Sequence, residues 1–497
     1  MAQKTILLGY DLGSSSVKLS AMAADSGALL ASATYPEVEM KIYAAQAGWA
    51  EQEPAYWWEC IQQVTKKLAS KVNLEHVQAI GIAYQMHGLV AVDKNQEALR
   101  PSIIWCDSRA VGFGEKAFND LGENFCLAHY LNSPGNFTAS KLKWVKENEP
   151  EIYAKIHKVM LPGDYIAMKM TGEINTTVSG LSEGIMWDFK EGHLADKLLA
   201  YYGIDSDLIP EVFDTFSEQG KLTETAATQL GLQAGIPIAY RAGDQPNNAF
   251  SLNVLEPGEL AATAGTSGVV YGITDSPDFD PKSRVNTFVH VNHKSDTPRY
   301  GVLLCVNGTG ILNSWFKNNM TGTGGFDYPE MNAAAAKAPV GTDGLVVLPF
   351  GNGAERVLEN KDINAQIHGM NFNLHSQGHM FRALQEGIVF ALNYGFEVMK
   401  KMGLELATVK AGHANMFLSP IFREAFANTT GATVELYNTD GSQGAARGAG
   451  MGIGYYKTAQ DAFGGLKTVQ TIEPNAQKSE AYQAAYTKWL NVLHQYV

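Results

Sequence analysis

A short stretch near the N-terminus combines a carboxylate with a turn of small residues. Asp11 lies at the end of an apolar run, and the turn Gly13-Ser14-Ser15-Ser16 separates it from an alternating run that begins at Val17. Two strand-like runs around such a turn predict a β-hairpin. The backbone N–H groups and hydroxyls of the turn can approach an anion closely, so this stretch could form a metal–phosphate site. An ordinary surface hairpin is the alternative.

A second turn of similar composition lies about half a chain further on. Gly265-Thr266-Ser267-Gly268 separates two apolar runs in the way that the first turn does. Two hairpins of one design predict a duplicated architecture, with one phosphate-binding turn in each half. The boundary between the halves is expected near residue 255, which gives domains over residues 1–255 and 256–497.

A second carboxylate follows a predicted strand in the first half. The apolar run over residues 235–242 ends in Gly243-Asp244, and a helical run begins at about Asn247. An ionised Asp is stabilised beside a helix N-terminus by the helix N–H groups and the helix dipole. Asp244 is therefore placed to act as a general base, and a simple helix N-cap is the alternative.

Two further predicted strands end in polar residues. Residues 77–84 lead into Gln85-Met86-His87-Gly88, and an apolar run from Pro101 ends in Asp107-Ser108-Arg109. Side chains at such strand ends occupy the sheet edge where α/β proteins bind ligands. His87 could contact a ligand, or it could be a satisfied histidine of the surface or core. Asp107 and Arg109 could bind sugar hydroxyls, or they could form an ion pair that caps the next helix.

The second half contains three small-residue segments beside predicted helices. Gly310 precedes an amphipathic helix, and a strand from Val409 runs into a turn that holds Gly412 and Asn415. Such a strand–turn–helix could let an adenine ring lie against flat backbone. Further on, a helix rich in Ala and Gly begins near Gln443, and its small side chains predict close packing.

Length, charge and cysteine content exclude several classes of protein. A chain of 497 residues is too long for one core and should form two domains or three. Its net charge of −13, without a basic cluster, argues against a nucleic-acid or membrane-surface partner. Four widely spaced cysteines make a structural zinc site unexpected and fit a reducing cytoplasm. No apolar run reaches the length of a bilayer span, so we expect a cytoplasmic protein.

Several common nucleotide and hydrolase motifs are absent from the sequence. It contains no GxxxxGK[ST] and no GxGxxG after a strand, which argues against a P-loop and against a dinucleotide-binding fold. HExxH is also absent.

Taken together, the motifs resemble those of the FGGY carbohydrate kinases, and they occur in the same order along nearly the whole chain. They are the stretch from Asp11 to Ser16, Trp105-Cys106-Asp107-Ser108-Arg109, Ala242-Gly243-Asp244, Gly265-Thr266-Ser267-Gly268 and the turn at Gly412. Two stretches, Gln85-Met86-His87-Gly88 and Gly48-Trp49-Ala50-Glu51-Gln52-Glu53-Pro54, resemble the xylulokinase branch of that family.

The resemblance implies an α/β fold of two actin-like domains, of the RNase H-like, Hsp70 and hexokinase type, with ATP and sugar bound in an interdomain cleft. Residues 1–255 would bind the sugar and residues 256–497 the nucleotide. It also implies Mg²⁺-dependent transfer of phosphate from ATP to a ketopentose, D-xylulose at its 5-hydroxyl being the expected acceptor. A homodimer is a further expectation from the family.

The resemblance also implies roles for individual residues. Asp244 would be the catalytic base, and Asp11 would face the magnesium–phosphate group. The sugar contacts would be Met86, His87, Asp107 and Asp244. The ATP contacts would be Ser14, Ser15, Gly265, Thr266, Ser267, Gly310, Gly412 and Asn415.

Two alternatives stay open at the level of sequence. One is an FGGY kinase that acts on another sugar or polyol, such as ribulose, fuculose or glycerol. The other is a non-enzymatic or chaperone-like ATPase of the actin type, although no peptide-binding domain or polymer-forming segment is evident in the sequence.

Overall fold

The computed structural model describes residues 5–320 and 325–497 of the chain, and it shows strands and helices interleaved along both stretches. The strands are β1 (Ile6–Leu12), β2 (Val17–Ala23), β3 (Leu29–Tyr35), β4 (Glu51–Gln52), β5 (Val77–Tyr84), β6 (Val90–Val92), β7 (Ser102–Ile103), β8 (Lys158–Met160), β9 (Asn175–Thr177), β10 (Trp187–Asp188), β11 (His193–Leu194), β12 (Glu211–Phe213), β13 (Ile238–Gly243), β14 (Leu260–Ala264), β15 (Gly268–Thr274), β16 (Asn286–Val289), β17 (Tyr300–Val306), β18 (Val346–Leu348), β19 (Gln366–His368), β20 (Thr408–Gly412), β21 (Thr433–Tyr437) and β22 (Thr468–Ile472).

α-Helices lie between many of these strands. They are α1 (Pro54–Ala69), α2 (Val111–Leu121), α3 (Glu123–Tyr130), α4 (Thr138–Asn148), α5 (Pro150–Tyr153), α6 (Pro162–Thr171), α7 (Val178–Glu183), α8 (Asp196–Tyr202), α9 (Glu224–Leu230), α10 (Asp244–Ser251), α11 (Gly310–Met320), α12 (Tyr328–Ala335), α13 (Gln377–Lys401), α14 (Pro420–Thr430), α15 (Gly441–Gly452), α16 (Ala459–Phe463) and α17 (Ala476–Leu493). Short 3₁₀ helices lie at Ser206–Leu208, Thr342–Gly344, Arg356–Leu358 and Asn415–Leu418.

The chain folds into two compact units. Unit 1 consists of the N-terminal stretch up to Leu255 together with Phe288–Tyr300 and Thr439–Leu466. Unit 2 consists of Glu256–Thr287, Gly301–Asn438 and Lys467–Val497. The chain therefore first passes from unit 1 to unit 2 near residue 255, where the sequence predicts the boundary. Two later segments belong to unit 1 again.

The main sheets of the two units share one strand order. In unit 1 the order is β3-β2-β1-β5-β13, and in unit 2 the corresponding order is β17-β15-β14-β20-β21, with β16 and β22 added at the edges of the sheet. In each sheet an antiparallel hairpin, β1–β2 or β14–β15, is followed by two parallel strands. This common order confirms the duplicated α/β architecture that the two small-residue turns predict.

The central strand β1 has different partners on its two faces because successive side chains of a strand point in opposite directions. Ile6, Leu8 and Tyr10 belong to a core that includes residues of α1 and α6. Leu7 belongs to a second core, which includes alanines of α15. The sheet of unit 1 is therefore buried on both faces, as parallel strands with helical crossovers require.

The helix α15 approaches this sheet unusually closely at a pair of glycines. Gly9 of β1 and Gly81 of β5 are partners in the parallel register. A Cβ atom on Gly9 would lie 1.9 Å from the Ser442 carbonyl oxygen, and one on Gly81 would lie 2.0 Å from that of Ala445. The predicted close packing of the Ala/Gly helix is thus observed, and it explains why Thr439–Leu466 belongs to unit 1.

Some element boundaries differ from the sequence-based expectation. The helix after β13 begins at Asp244 rather than near Asn247, since Pro246 lies within its first turn, where a missing N–H leaves no hydrogen bond unmade. Between α2 and α8, the short strands β8 to β11 interrupt a largely helical region. Within residues 5–320 and 325–497, no helix combines the length and apolar character that a membrane span requires.

Substitution of Gly81 by Ala is expected to destabilise unit 1, because the new methyl group would meet backbone rather than a movable side chain. The free energy of unfolding should fall by about 1–3 kcal/mol. Urea and thermal unfolding followed by circular dichroism would measure the change.

Gly112→Ala is the matched control for this substitution. Gly112 lies in α2, and a Cβ atom there would meet nothing within 4 Å. In a helix this change should be neutral or should stabilise the protein by about 0.5–1 kcal/mol. Equal effects of the two substitutions would contradict the close contact between α15 and the sheet.

Candidate active site

The first hairpin places Asp11 opposite Lys18 in the antiparallel register of β1 and β2. The turn between the strands is closed by a hydrogen bond from the Gly13 N–H to the Ser16 carbonyl oxygen, at 3.0 Å. The carbonyl groups of Ser14 and Ser15 accept hydrogen bonds from the Gln52 side chain and the Met40 backbone, at 2.7 and 2.8 Å. The turn is therefore fixed by its surroundings, with the Asp11 carboxylate at its base.

A second carboxylate, from the far end of the chain, joins this hairpin. Asp440 caps the N-terminus of α15 by accepting hydrogen bonds from the Gln443 N–H at 3.1 Å and the Ser442 hydroxyl at 2.6 Å. Its other oxygen forms an ion pair with Lys18 at 2.7 Å. The Ser442 hydroxyl also lies 2.7 Å from that of Ser20 on β2, which fixes the helix end against the hairpin.

The surroundings of Asp11 disfavour its ionised form. Burial is the largest cause and the charge of Asp440 is the second, and together they raise the pKa of Asp11 to about 6, although Lys18 acts in the opposite direction. The N-terminus of α15 touches the carboxylate, since a Cβ atom on Gly441 would lie 2.3 Å from Oδ2 of Asp11. The site therefore has more negative charge than Lys18 neutralises.

Asp244 is the first residue of α10 and directly follows β13. Because β1, β5 and β13 are parallel neighbours, their carboxyl ends lie at one edge of the sheet. Burial, followed by the charge of Asp11, raises the pKa of Asp244 to about 7. A carboxylate with such a pKa can accept and release a proton near neutral pH.

The carboxylates of Asp11, Asp244 and Asp440 concentrate negative charge at this edge. Among the residues that the structure describes, no group of three or more His, Cys, Asp or Glu side chains could hold a metal ion. Mg²⁺ is commonly bound by one or two carboxylates, with water and substrate phosphates completing the octahedron. The excess negative charge around Asp11 fits a cation of that kind rather than a metal enclosed by protein ligands.

Met86 and His87 follow β5, and Met86 lies beside Gly243, the residue that precedes Asp244. A Cβ atom on Gly243 would lie 2.7 Å from Cγ of Met86. The His87 backbone adopts a left-handed conformation with φ of 61°, which few residues other than glycine adopt. Its Nδ1 lies 2.8 Å from the Glu183 carbonyl oxygen, and its ring packs edge-on against Phe137 at 4.8 Å.

Asp107 and Arg109 form an ion pair, as one of the two alternatives predicts, but no side chain caps the helix α2 that follows. Asp107 is fully buried, and its oxygens accept hydrogen bonds from the Arg109 guanidinium at 2.7–3.0 Å and from the Ala50 N–H at 2.5 Å. The guanidinium also bonds Glu51 at 2.7 Å and stacks 3.7 Å from the ring centroid of Trp49. Both oxygens of Asp107 are thus engaged within the protein, and its contact with a sugar stays a prediction.

Unit 2 brings its own small-residue segments together. The Gly265 carbonyl oxygen accepts a hydrogen bond from the Gly310 N–H at 2.9 Å, and that of Thr266 accepts from Ile311 at 3.1 Å. The first turn of α11 therefore lies against the turn that contains Ser267. Asn415, which follows β20 and Gly412, approaches from the other direction, because its Nδ2 lies 3.5 Å from a Cβ atom built on Gly265.

Three charged residues near the candidate site in unit 1 were not predicted from the sequence. Asp440 could have been found as an N-cap, because an Asp before a helix start is a recognised signal. Glu183 and Lys141 carried no such signal, since charged residues in helical patterns are usually exposed. Both are buried: Glu183 is 2% exposed, and Lys141 is 0% exposed.

Two family models match the chain, one in each half. The profile of the N-terminal domain of the FGGY family of carbohydrate kinases matches residues 6–251, and that of its C-terminal domain matches residues 260–452. The chain belongs to the FGGY family of carbohydrate kinases. The family resemblance deduced from the motifs is therefore confirmed, as are the two-domain α/β fold and the classification as a sugar kinase.

Individual FGGY kinases resemble the chain over nearly its full length. It is 30% identical to the xylulose kinase of Escherichia coli K12, with 96% of each chain covered. It is 28% identical to the xylulose kinase of Bacillus subtilis 168, with 98% of this chain and 96% of that protein covered. The crystal structure of a ligand-bound xylulose kinase from Lactobacillus acidophilus matches with a TM-score of 0.90 at 20% identity, and the match covers 99% of this chain and 98% of that one.

The charge around Asp11 predicts a pH-dependent gain of stability on substitution by Asn. Its pKa is raised from 3.8 to about 6 on folding, so the folded state holds this proton more tightly than the unfolded state does. Stability is therefore lost as the pH rises from about 4 through about 6, and the full cost applies above that range. In metal-free buffer, Asp11→Asn should raise Tm at pH 8 by ~2–6 °C and change it little at pH 4.

Asp25→Asn is the control for this measurement. Asp25 follows β2 and its side chain is exposed, so the substitution should leave Tm unchanged at both pH values. A Tm of Asp11→Asn that is equal to or below that of the wild type at pH 8 would contradict the electrostatic description of the site.

Proposed function

We propose that this FGGY kinase transfers the γ-phosphoryl group of ATP to the 5-hydroxyl of D-xylulose and forms D-xylulose 5-phosphate. The observation that carries the proposal is the partly buried Asp244 at the carboxyl edge of the sheet, whose pKa is raised to about 7. Met86 lies against the preceding residue, Gly243, and His87 follows Met86 in the same loop. The assignment of the sugar is supported by full-length similarity to two xylulose kinases at 30% and 28% identity.

Asp244 would serve as the general base of the reaction. As the sugar hydroxyl oxygen forms its bond to the γ-phosphorus, the bond from that phosphorus to the β,γ-bridging oxygen breaks, and ADP leaves with the electron pair. The hydroxyl proton passes to the Asp244 carboxylate. The N-terminus of α10 favours the ionised form before the transfer, whereas burial and Asp11 favour the protonated form after it.

Other residues of unit 1 would act on the acceptor sugar, and two serines would bind the phosphates. His87 is rigidly held and would donate or accept a hydrogen bond at a sugar hydroxyl, and Met86 would pack against the carbon chain. Asp107, engaged by Arg109, would act through the loop that it orders. Ser14 and Ser15 would offer the N–H and hydroxyl groups of the first turn to the phosphates.

The unit 2 residues would hold ATP. The turn Gly265-Thr266-Ser267, supported by Gly310 at the start of α11, would bind the phosphates through backbone N–H groups. Gly412 and Asn415 would contact the adenosine. Such donors need no net positive charge, in agreement with a chain of net charge −13.

Asp11 would hold Mg²⁺, directly or through water. The ion, when bound, neutralises charge on the β- and γ-phosphate oxygens. Asp440 would remain engaged with Lys18 and would keep the local potential negative. Cation binding would in turn ionise Asp11, because a positive charge reverses the effect of burial on its pKa.

The proposal is tested by an ADP-release assay with ATP, Mg²⁺ and a panel of D-xylulose, D-ribulose, L-fuculose and glycerol. Wild-type protein should show its highest kcat/KM with D-xylulose. Asp244→Asn should lower kcat by ~10²–10⁴-fold, because the base is removed, while D-xylulose still binds in isothermal titration.

Asp196→Asn is the matched control for the base. Asp196 also begins a helix of unit 1, but its side chain is 65% exposed, so turnover should be unchanged. Wild-type kcat in Asp244→Asn would exclude Asp244 as the base. A higher kcat/KM with another acceptor would replace D-xylulose, and no activity with any acceptor would overturn the proposed reaction.

The pKa of Asp244 predicts the pH dependence of catalysis. Its carboxyl group must be ionised to accept the hydroxyl proton, so the protonated enzyme below about pH 7 should be inactive. A plot of log kcat/KM for D-xylulose should therefore rise with unit slope as the pH increases to about 7 and then level off. A flat profile between pH 5.5 and 8 at saturating ATP would contradict this assignment.

A further inference from the structure

A buried lysine connects the two loops at which sugar contacts are proposed. Lys141 lies on α4 and is 0% exposed. Its Nζ donates a hydrogen bond to the His87 carbonyl oxygen at 2.8 Å and another to the Ile104 carbonyl oxygen at 3.0 Å. The first acceptor belongs to the loop after β5, and the second immediately precedes the loop that contains Asp107.

The first of these acceptors belongs to a residue in a strained conformation. A non-glycine residue with φ of 61°, such as His87, persists only where its surroundings hold it. Lys141 holds the carbonyl group, the Glu183 carbonyl oxygen lies at the ring nitrogen, and Phe137 packs against the ring. Phe137 is the N-cap residue of α4, so this helix and its cap contribute two of these restraints. The ring of Phe288 adds a further contact with the imidazole, at 5.5 Å between ring centroids.

A lysine at this position is costly unless its hydrogen bonds are needed. Burial lowers its pKa to about 7, while the nearby Asp107 carboxylate acts in the opposite direction. Within the described residues its ammonium group forms no direct ion pair, because Asp107 is engaged with Arg109. An apolar side chain would fill the space without this penalty. The two carbonyl contacts are thus the evident role of the amino group.

We propose that Lys141 is a positioning residue for sugar binding, which fixes the His87 imidazole by holding the carbonyl groups of His87 and Ile104. The inference rests on the proposed function, since it requires His87 to contact the sugar. Lys141 itself is 0% exposed, so its amino group would contact neither the sugar nor ATP. Its loss should therefore weaken sugar binding and leave the phosphoryl-transfer step largely intact.

Lys141→Met tests the inference because it keeps the length of the side chain and removes the donor. The expected result is a rise of about 10-fold in KM for the sugar, which corresponds to the loss of one hydrogen bond, that to the His87 carbonyl oxygen. The values of kcat and of KM for ATP should stay within about 2-fold of wild type. Lys143→Met is the matched control: Lys143 lies on the same helix but pairs with Glu147 at the surface, so no kinetic constant should change.

A double-substitution cycle separates positioning from a general loss of structure. If Lys141 acts through the His87 side chain, Lys141→Met should raise KM about 10-fold in the wild type but less than about 2-fold in His87→Ala, where no imidazole remains to be positioned. Equal effects in the two backgrounds would overturn the inference. Should Lys141→Met unfold below the assay temperature, Lys141→Gln, which retains one donor, takes its place in the same cycle.

The substrate panel keeps failure of this inference distinct from failure of the proposed function. The cycle is run with whichever acceptor the wild type phosphorylates best. A wild-type KM in an active Lys141→Met enzyme refutes only the role of Lys141. An acceptor other than D-xylulose refutes only the proposed sugar. A wild type without any acceptor refutes both, because no sugar site then exists for Lys141 to order.

Discussion

The contact between α15 and the sheet of unit 1 is the constraint on which the candidate site depends. Gly9 and Gly81 are partners on adjacent strands, and together they leave a smooth surface onto which the helix backbone packs directly. This packing brings Asp440 and Gly441 against Asp11 and thereby generates the excess negative charge. A bulkier side chain at either glycine would move the helix end and, with it, the electrostatics of the catalytic edge.

Negative charge is concentrated at this edge at some cost to stability. The charge of Asp440 raises the pKa of Asp11, and the charge of Asp11 raises the pKa of Asp244. Lys18, the cation that lowers the pKa of Asp11, is already paired with Asp440. Such unneutralised carboxylates are typical of sites that bind a cation or exchange a proton. The same arrangement that disfavours the folded state above about pH 6 raises the pKa of Asp244 to about 7, as its proposed role as the base requires.

Local sequence patterns predicted the parts of the structure that depend on local interactions. The two small-residue turns, the strand ending at Tyr84 and the Ala/Gly helix follow from periodicity and turn chemistry. The pairing of Asp440 with Lys18 depends instead on a contact between residues over 400 positions apart. Similarly, the burial of Lys141 depends on which carbonyl groups its helix happens to face, and no pattern of residue types in α4 encodes that.

The discontinuous composition of unit 1 bears on how the protein is made. The N-terminal stretch up to Leu255 supplies the sheet, but the helix that covers one of its faces lies within Thr439–Leu466. Domains tend to fold as they leave the ribosome, N-terminal first, at roughly 5–20 residues per second. For some ten seconds or more of synthesis at that rate, the glycine-lined face around Gly9 and Gly81 therefore lacks its covering helix. The N-terminal stretch alone is therefore an incomplete folding unit.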